Sequence, residues 1–66
     1  MTVGGLEVRE VEALRLLSAG LSTADVAVEL SYSERTVKNI VHGVLTRLKL
    51  RNRTQAVGYA LRHGAL

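Results

Sequence analysis

Glycines and small polar residues cut this chain into four apolar-periodic stretches, none long enough to bury its own apolar stripe. Isolated helices below about 12–15 residues are marginal in water, so short ones persist only by packing their apolar faces together. The expected fold is therefore all-α: a four-helix, bundle-like domain with helices over about 7–19, 23–30, 34–48 and 53–63. No proline interrupts any stretch.

In the first stretch Val11, Leu14, Leu17 and Leu21 recur at helical spacing, with Ala13 and Leu16 beside them. Glu7 and Glu10 fall in its first turn, where the helix dipole favours negative charge. Gly20 is the expected stop. Ser22 reads as the cap of the second helix, with Asp25 in an acidic variant of the capping box. Val26, Ala27 and Leu30 give that helix one apolar face. After a break at Ser31–Tyr32, Ser33 caps the third helix. Asn52 caps the fourth, whose inward residues are expected to be Ala56, Val57, Ala60 and Leu61, with Gly64 closing it. Ahead of the helices, Gly4–Gly5 reads as a flexible lead-in over residues 1–5, in keeping with a junction left by cutting a longer protein. The domain proper is expected over 6–66.

Composition narrows the function. The aromatics are two tyrosines, so aliphatic side chains must fill the interior. With no cysteine, a disulfide framework, a zinc finger and a thiol nucleophile are excluded. No apolar run approaches the roughly 18 residues a membrane span needs, and the start lacks the pattern of a secretory signal. A cytoplasmic location is expected. Charge is unevenly placed. Residues 1–34 hold all six acids with Arg9 and Arg15, a balance of −4, whereas residues 35–66 hold seven bases and no acid, +7, which returns the net +3. Such asymmetry points to a polyanion, nucleic acid or an anionic membrane surface, or else to a solvated basic face.

The third helix decides between these. On a wheel of about 100° per residue, Val37, Ile40, Val41, Val44, Leu45 and Leu48 share one side. Arg35, Lys38, Asn39, His42, Thr46 and Lys49 share the other, with no acid among them to pair with the cations. Burial of that face against protein would leave charges uncompensated. It suits water, or a ligand that brings acceptors. The DNA major groove is about 12 Å wide and admits one helix; Lys or Arg suits guanine there, and Asn suits adenine. Ser33 and Thr36, at the helix start, suit phosphate oxygens. A short helix, a tight break and a second helix make a helix-turn-helix, whose second helix enters the groove. The apolar spacing Val26, Ala27, Leu30, Tyr32, Val37, Ile40 fits its packing, with Ala27 small at the helix crossing. The plainer alternative is a helical hairpin with a solvated outer face.

From Leu6 to Leu66 the chain resembles the LuxR/FixJ-type helix-turn-helix domain of bacterial transcription regulators. The resemblance rests on Arg9-Glu10, "LLSAGLS", Ala27, Leu30, Ser33, "TVK" at 36–38, Leu48 and "RNRTQAV" at 51–57. It implies a four-helix DNA-binding output domain of a response regulator or LuxR-like protein, its third helix in the major groove and its fourth in a homodimer contact. It implies base contacts from Lys38, Asn39 and His42; Arg35, on the same face, is expected to read or steer beside them. It implies backbone contacts from Ser33 and Thr36, and Ser22, Thr23, Thr46 and Lys49 are expected to hold the backbone with them. Double-stranded DNA is the expected partner, with RNA polymerase a second candidate. Such domains usually follow a receiver or a ligand-binding domain, so this piece reads as an excised output domain or a stand-alone regulator. Three positions depart from the family pattern: Glu7 where threonine is common, Tyr32 where Ile or Val is common, and Ile40 where His is common. Ile40 falls on the core side of the wheel, so a packing change is expected there.

Other readings are poorer. His42 and His63 are too few for a metal site. Glu10 and Glu12 point differently on a helix, and Glu10 is expected to cap or to pair with a base such as Arg53. No cofactor, small-molecule ligand or catalytic constellation is expected. Gly58 costs about 1 kcal/mol inside a helix relative to alanine. With Thr54 and Leu61 it forms a stripe suited to close approach of a partner helix. The rivals are a sigma-factor-like promoter-reading domain, disfavoured by the "RNRTQAV" tail, and an interaction module docking an acidic partner.

Overall fold

Each helix begins where a side chain can take up its free N–H groups. In the computed structural model, which describes residues 2–66, α1 is Val8–Ser18, α2 Thr23–Leu30, α3 Glu34–Leu48 and α4 Arg53–Arg62. The Ser22, Ser33 and Asn52 side chains accept from the N–H groups of Asp25, Thr36 and Gln55 at 3.1, 3.1 and 2.9 Å. Glu10 reaches back instead, its Oε1 accepting the Glu7 N–H at 2.8 Å. The helix starts expected from the small polar residues are those observed, and α1 begins cleanly despite lacking a threonine cap.

The helix ends share one device. Gly20, Ser31, Lys49 and Gly64 all take positive φ, at 96°, 58°, 56° and 72°. The apolar residue after each donates its N–H to a carbonyl five residues back: Leu21 to Leu16, Tyr32 to Ala27, Leu50 to Leu45, Ala65 to Ala60. This closes the last turn and folds the next segment onto the helix.

The lead-in differs from expectation. Thr2–Val3 (β1) pairs antiparallel with Leu6–Glu7 (β2), Thr2 opposite Glu7 and Val3 opposite Leu6. Gly4 and Gly5 turn the hairpin with φ of 59° and 82°, values glycine adopts freely. A side chain at Gly4 would also collide with His63, whose Cβ would lie 2.6 Å from the added carbon. The glycines therefore serve a tight turn against α4 and not a loose junction.

The core has two parts. Leu6, Val11, Leu14, Val44, Ala56, Ala60 and Ala65 form one, between α1, α4 and the C-terminal half of α3. Ala13, Val26, Ala27, Val37 and Ile40 form the other, between α1, α2 and the N-terminal half of α3. Thus α3 is pinned along its length, by Val37 and Ile40 at one end and Val44 at the other. Ile40 is buried, as the wheel indicated. Leu61 is not: it is 58% exposed, and Ala56 and Ala60 carry the inner face of α4 instead, with Ala65 buried just beyond the helix end. No described helix is long and apolar enough to cross a membrane.

Candidate nucleic-acid interface

The pinned back of α3 determines what its front presents. Opposite Val37, Ile40 and Val44, the side chains of Arg35, Lys38, Asn39 and His42 are all exposed. Thr46 continues the row, its hydroxyl 3.5 Å from His42 Nε2. Lys49 follows at the helix end, exposed and left-handed. The face is less purely cationic than the wheel indicated, because Glu34, one turn earlier, lies 3.8 Å from Lys38 Nζ. Both side chains are more than half exposed, and water and salt screen such a pair to little net energy. Lys38 is held loosely and remains available.

Around this row stand the helix starts. Ser33 Oγ caps α3 and also contacts Thr36 Oγ1 at 2.9 Å, which places two hydroxyls beside the free N–H groups of the α3 N-terminus. Ser22 is exposed at the start of α2. Thr23 is half-buried, and it joins Lys38, His42 and Arg53 around a shallow cleft of about 190 Å³ floored by Leu17, Val41 and Leu45. Helices α2, α3 and α4 thus meet where Lys38 and His42 emerge. Arg53 was not among the expected contacts. Its place in the first turn of α4 follows from the Asn52 cap, but its nearness to α3 is a tertiary fact that spacing along the chain does not carry. The fourth-helix stripe is open: Thr54 is exposed, Gly58 half-buried and Leu61 exposed.

Glu10 has a different role. Its partner is Arg47, not Arg53. Arg47 Nη2 and Nη1 donate to its two carboxylate oxygens at 2.7 and 3.0 Å, and Nη2 also donates to the Gly5 carbonyl at 3.1 Å. Burial alone would raise the Glu10 pKa. The hydrogen bonds from Arg47 and the Glu7 N–H, with the charges of Arg47 and Arg9, outweigh it and hold the group below its ordinary 4.5. The hydrogen bond to the carboxylate drives Arg47 upward in return. Tyr59 donates its hydroxyl to the Gly4 carbonyl at 2.7 Å and stacks on His63 at 4.1 Å. These groups tie the hairpin to α3 and α4. They lie outside the exposed row.

Residues 5–60 match the family described as bacterial regulatory proteins, luxR family. The chain belongs to that family. Among proteins similar to this luxR-family domain is the uncharacterized transcriptional regulatory protein YxjL of Bacillus subtilis (strain 168), 45% identical over 85% of the chain and 26% of the relative. Another is the response regulator protein VraR of Staphylococcus aureus, 38% identical over 88% of the chain and 28% of the relative. The chain spans about a quarter of the length of these curated relatives. Among solved structures, the transcription factor GerE superposes with a TM-score of 0.89 at 38% identity, over 92% of this chain and 91% of that one. The response regulator ChrA of a heme-sensing two-component system superposes at 0.84 with 35% identity, over 94% of this chain and 31% of that one. The molecule is a luxR-type helix-turn-helix DNA-binding domain, a family of transcription regulators and not of enzymes.

Proposed function

We propose that this domain reads duplex DNA by laying α3 in a major groove, as the output module of a response-regulator-type transcription factor. One observation carries the reading. Val37, Ile40 and Val44 are at most 6% exposed, while Arg35, Lys38, Asn39 and His42 project from the opposite side of the same helix. A helix anchored by its back offers its front to a groove at little entropic cost.

Lys38, Asn39 and His42 are the base-reading residues, with Arg35 beside them. Lys38 supplies a donor for guanine O6 or N7, and Asn39 can give and take hydrogen bonds with adenine. Ser22, Thr23, Ser33, Thr36, Thr46 and Lys49 hold the sugar-phosphate backbone. Arg53 joins them: α4 opens with Arg51 and Arg53 flanking the cap and no acid in its first turn. A cation at a helix N-terminus opposes the macrodipole, so a phosphate there satisfies both the N–H groups and the arginine. Two copies meet through Thr54, Gly58 and Leu61 of α4. The location is cytoplasmic, on the nucleoid when bound, and RNA polymerase is a second partner.

Selection of bound sites from a random duplex pool, followed by titration at two salt concentrations, tests this. Lys38→Ala and Asn39→Ala are expected to cost about 1–3 kcal/mol on the selected site and to relax base choice at one position each. Unchanged sequence preference in Asn39→Ala would remove that residue from the reading set. A module that instead docks an acidic protein would show no steep dependence of duplex binding on salt.

A further inference from the structure

His42 sits in the middle of the exposed row, one turn from Lys38 and one turn from Thr46. We infer that it takes up a proton when the domain binds DNA, so that affinity for the operator rises as the solution turns acidic. This rests on the DNA-reading role of α3.

The argument is one of surroundings. The charged groups that share the cleft with His42 are Lys38 on its own helix and Arg53 from α4; α1 contributes Leu17 and α2 contributes Thr23, neither of which titrates. The nearest carboxylate along α3, Glu34, lies two turns back and is paired with Lys38. Among the described residues, no carboxylate lines that cleft to neutralise an imidazolium. DNA supplies what is missing, one negative charge per about 1.7 Å of duplex axis and the N7 and O6 acceptors of guanine. The Thr46 hydroxyl, 3.5 Å from Nε2, fits either state of the ring. It donates to a neutral nitrogen and accepts from a protonated one. The ring therefore gains a proton without losing its neighbour, and the proton comes from solvent. Imidazole is the side-chain type whose ordinary titration spans pH 5 to 8.

The sign follows from linkage. The bound state holds more protons, so affinity falls as pH rises through the imidazole range, by at most about tenfold per pH unit for one proton per domain. The added charge also steepens the salt dependence, by about 0.9 in the slope of log affinity against log salt.

The test is operator binding by the domain at about pH 6 and about pH 8 at fixed ionic strength, alongside NMR titration of the two imidazoles with and without duplex. The expected result is a three- to tenfold tighter complex at the lower pH, on the order set by one-proton linkage. His42→Gln, which hydrogen-bonds without titrating, should flatten this dependence. His63→Gln should keep it, since His63 stacks on Tyr59 away from the row. On adding duplex, the His42 resonance should titrate at higher pH. Tight binding with the same pH profile in His42→Gln as in the parent would overturn the inference and leave the DNA-reading role standing. Absence of duplex binding at low salt and at both pH values would overturn both.

Discussion

Glu10 shows what a single side chain does in a domain this small. It caps α1, accepts two hydrogen bonds from Arg47 and is 5% exposed, so its charge is compensated inside the fold. Because its folded-state pKa is lowered, the unfolded chain binds the proton more readily. The group therefore contributes stability above its ordinary 4.5, and that contribution is lost as the pH falls through the folded-state value. Glu10→Gln keeps the shape and removes the charge. The Arg47 side chain is 44% exposed, so part of the pair's energy is screened, and a loss of about 1–2 kcal/mol at neutral pH is expected. Thermal unfolding down a pH series checks this: the parent should lose stability more steeply than the variant below pH 4.5. Half of this role is legible in the chain. A glutamate in the first turn announces a cap. Its ion-pair partner lies 37 residues away, and no periodicity distinguishes Arg47 from Arg53 at that range. The exposed row on α3 is legible for the opposite reason: it is local, and one helical period sorts it from the core.

At the scale of elements, caps and periodicity carry most of the information. Ser22, Ser33 and Asn52 mark three helix starts because an N-cap oxygen satisfies N–H groups that have no other partner. The hairpin escapes the same reasoning, because strands of two residues show no alternation and a Gly-Gly pair reads equally as turn or tether. The end of α3 also hides something. Lys49 adopts a left-handed conformation, at φ 56°, where glycine would be relaxed. Such a conformation costs a non-glycine residue about 1–2 kcal/mol, partly offset by the greater flexibility glycine gives the unfolded chain. Uncharged Ser31 takes the same conformation at the end of α2, so the conformation alone assigns Lys49 no role, and the proposed backbone contact has to be tested apart from it. Lys49→Gly is expected to raise stability by about 1 kcal/mol while weakening all duplexes alike and flattening the salt slope by about 0.9. Chemical denaturation with salt-dependent binding measures both. A variant more stable and equally avid would remove Lys49 from the backbone contacts.

At the scale of the molecule, size sets what one copy can read. The domain measures 26 × 23 × 20 Å, less than the roughly 34–36 Å that separates successive major-groove half-sites. Under the proposed reading a longer operator takes a second copy, placed against exposed Thr54 and Leu61 and half-buried Gly58. Gly58 makes that assignment testable in one substitution. A carbon added there meets nothing closer than Arg62 Nη1 at 3.6 Å, so the isolated domain accommodates alanine without strain. Alanine is also the better helix former, and Gly58→Ala should stabilise the monomer by about 1 kcal/mol. A partner helix in close contact at Gly58 would meet the new methyl group. Binding to a single half-site should then be unchanged, while cooperativity on paired half-sites falls by on the order of tenfold, about 1.4 kcal/mol. A glycine that is merely tolerated on the surface predicts the gain in stability with cooperativity intact. Isotherms on duplexes carrying one and two half-sites separate the outcomes, because stability and assembly are read from different measurements on the same variant.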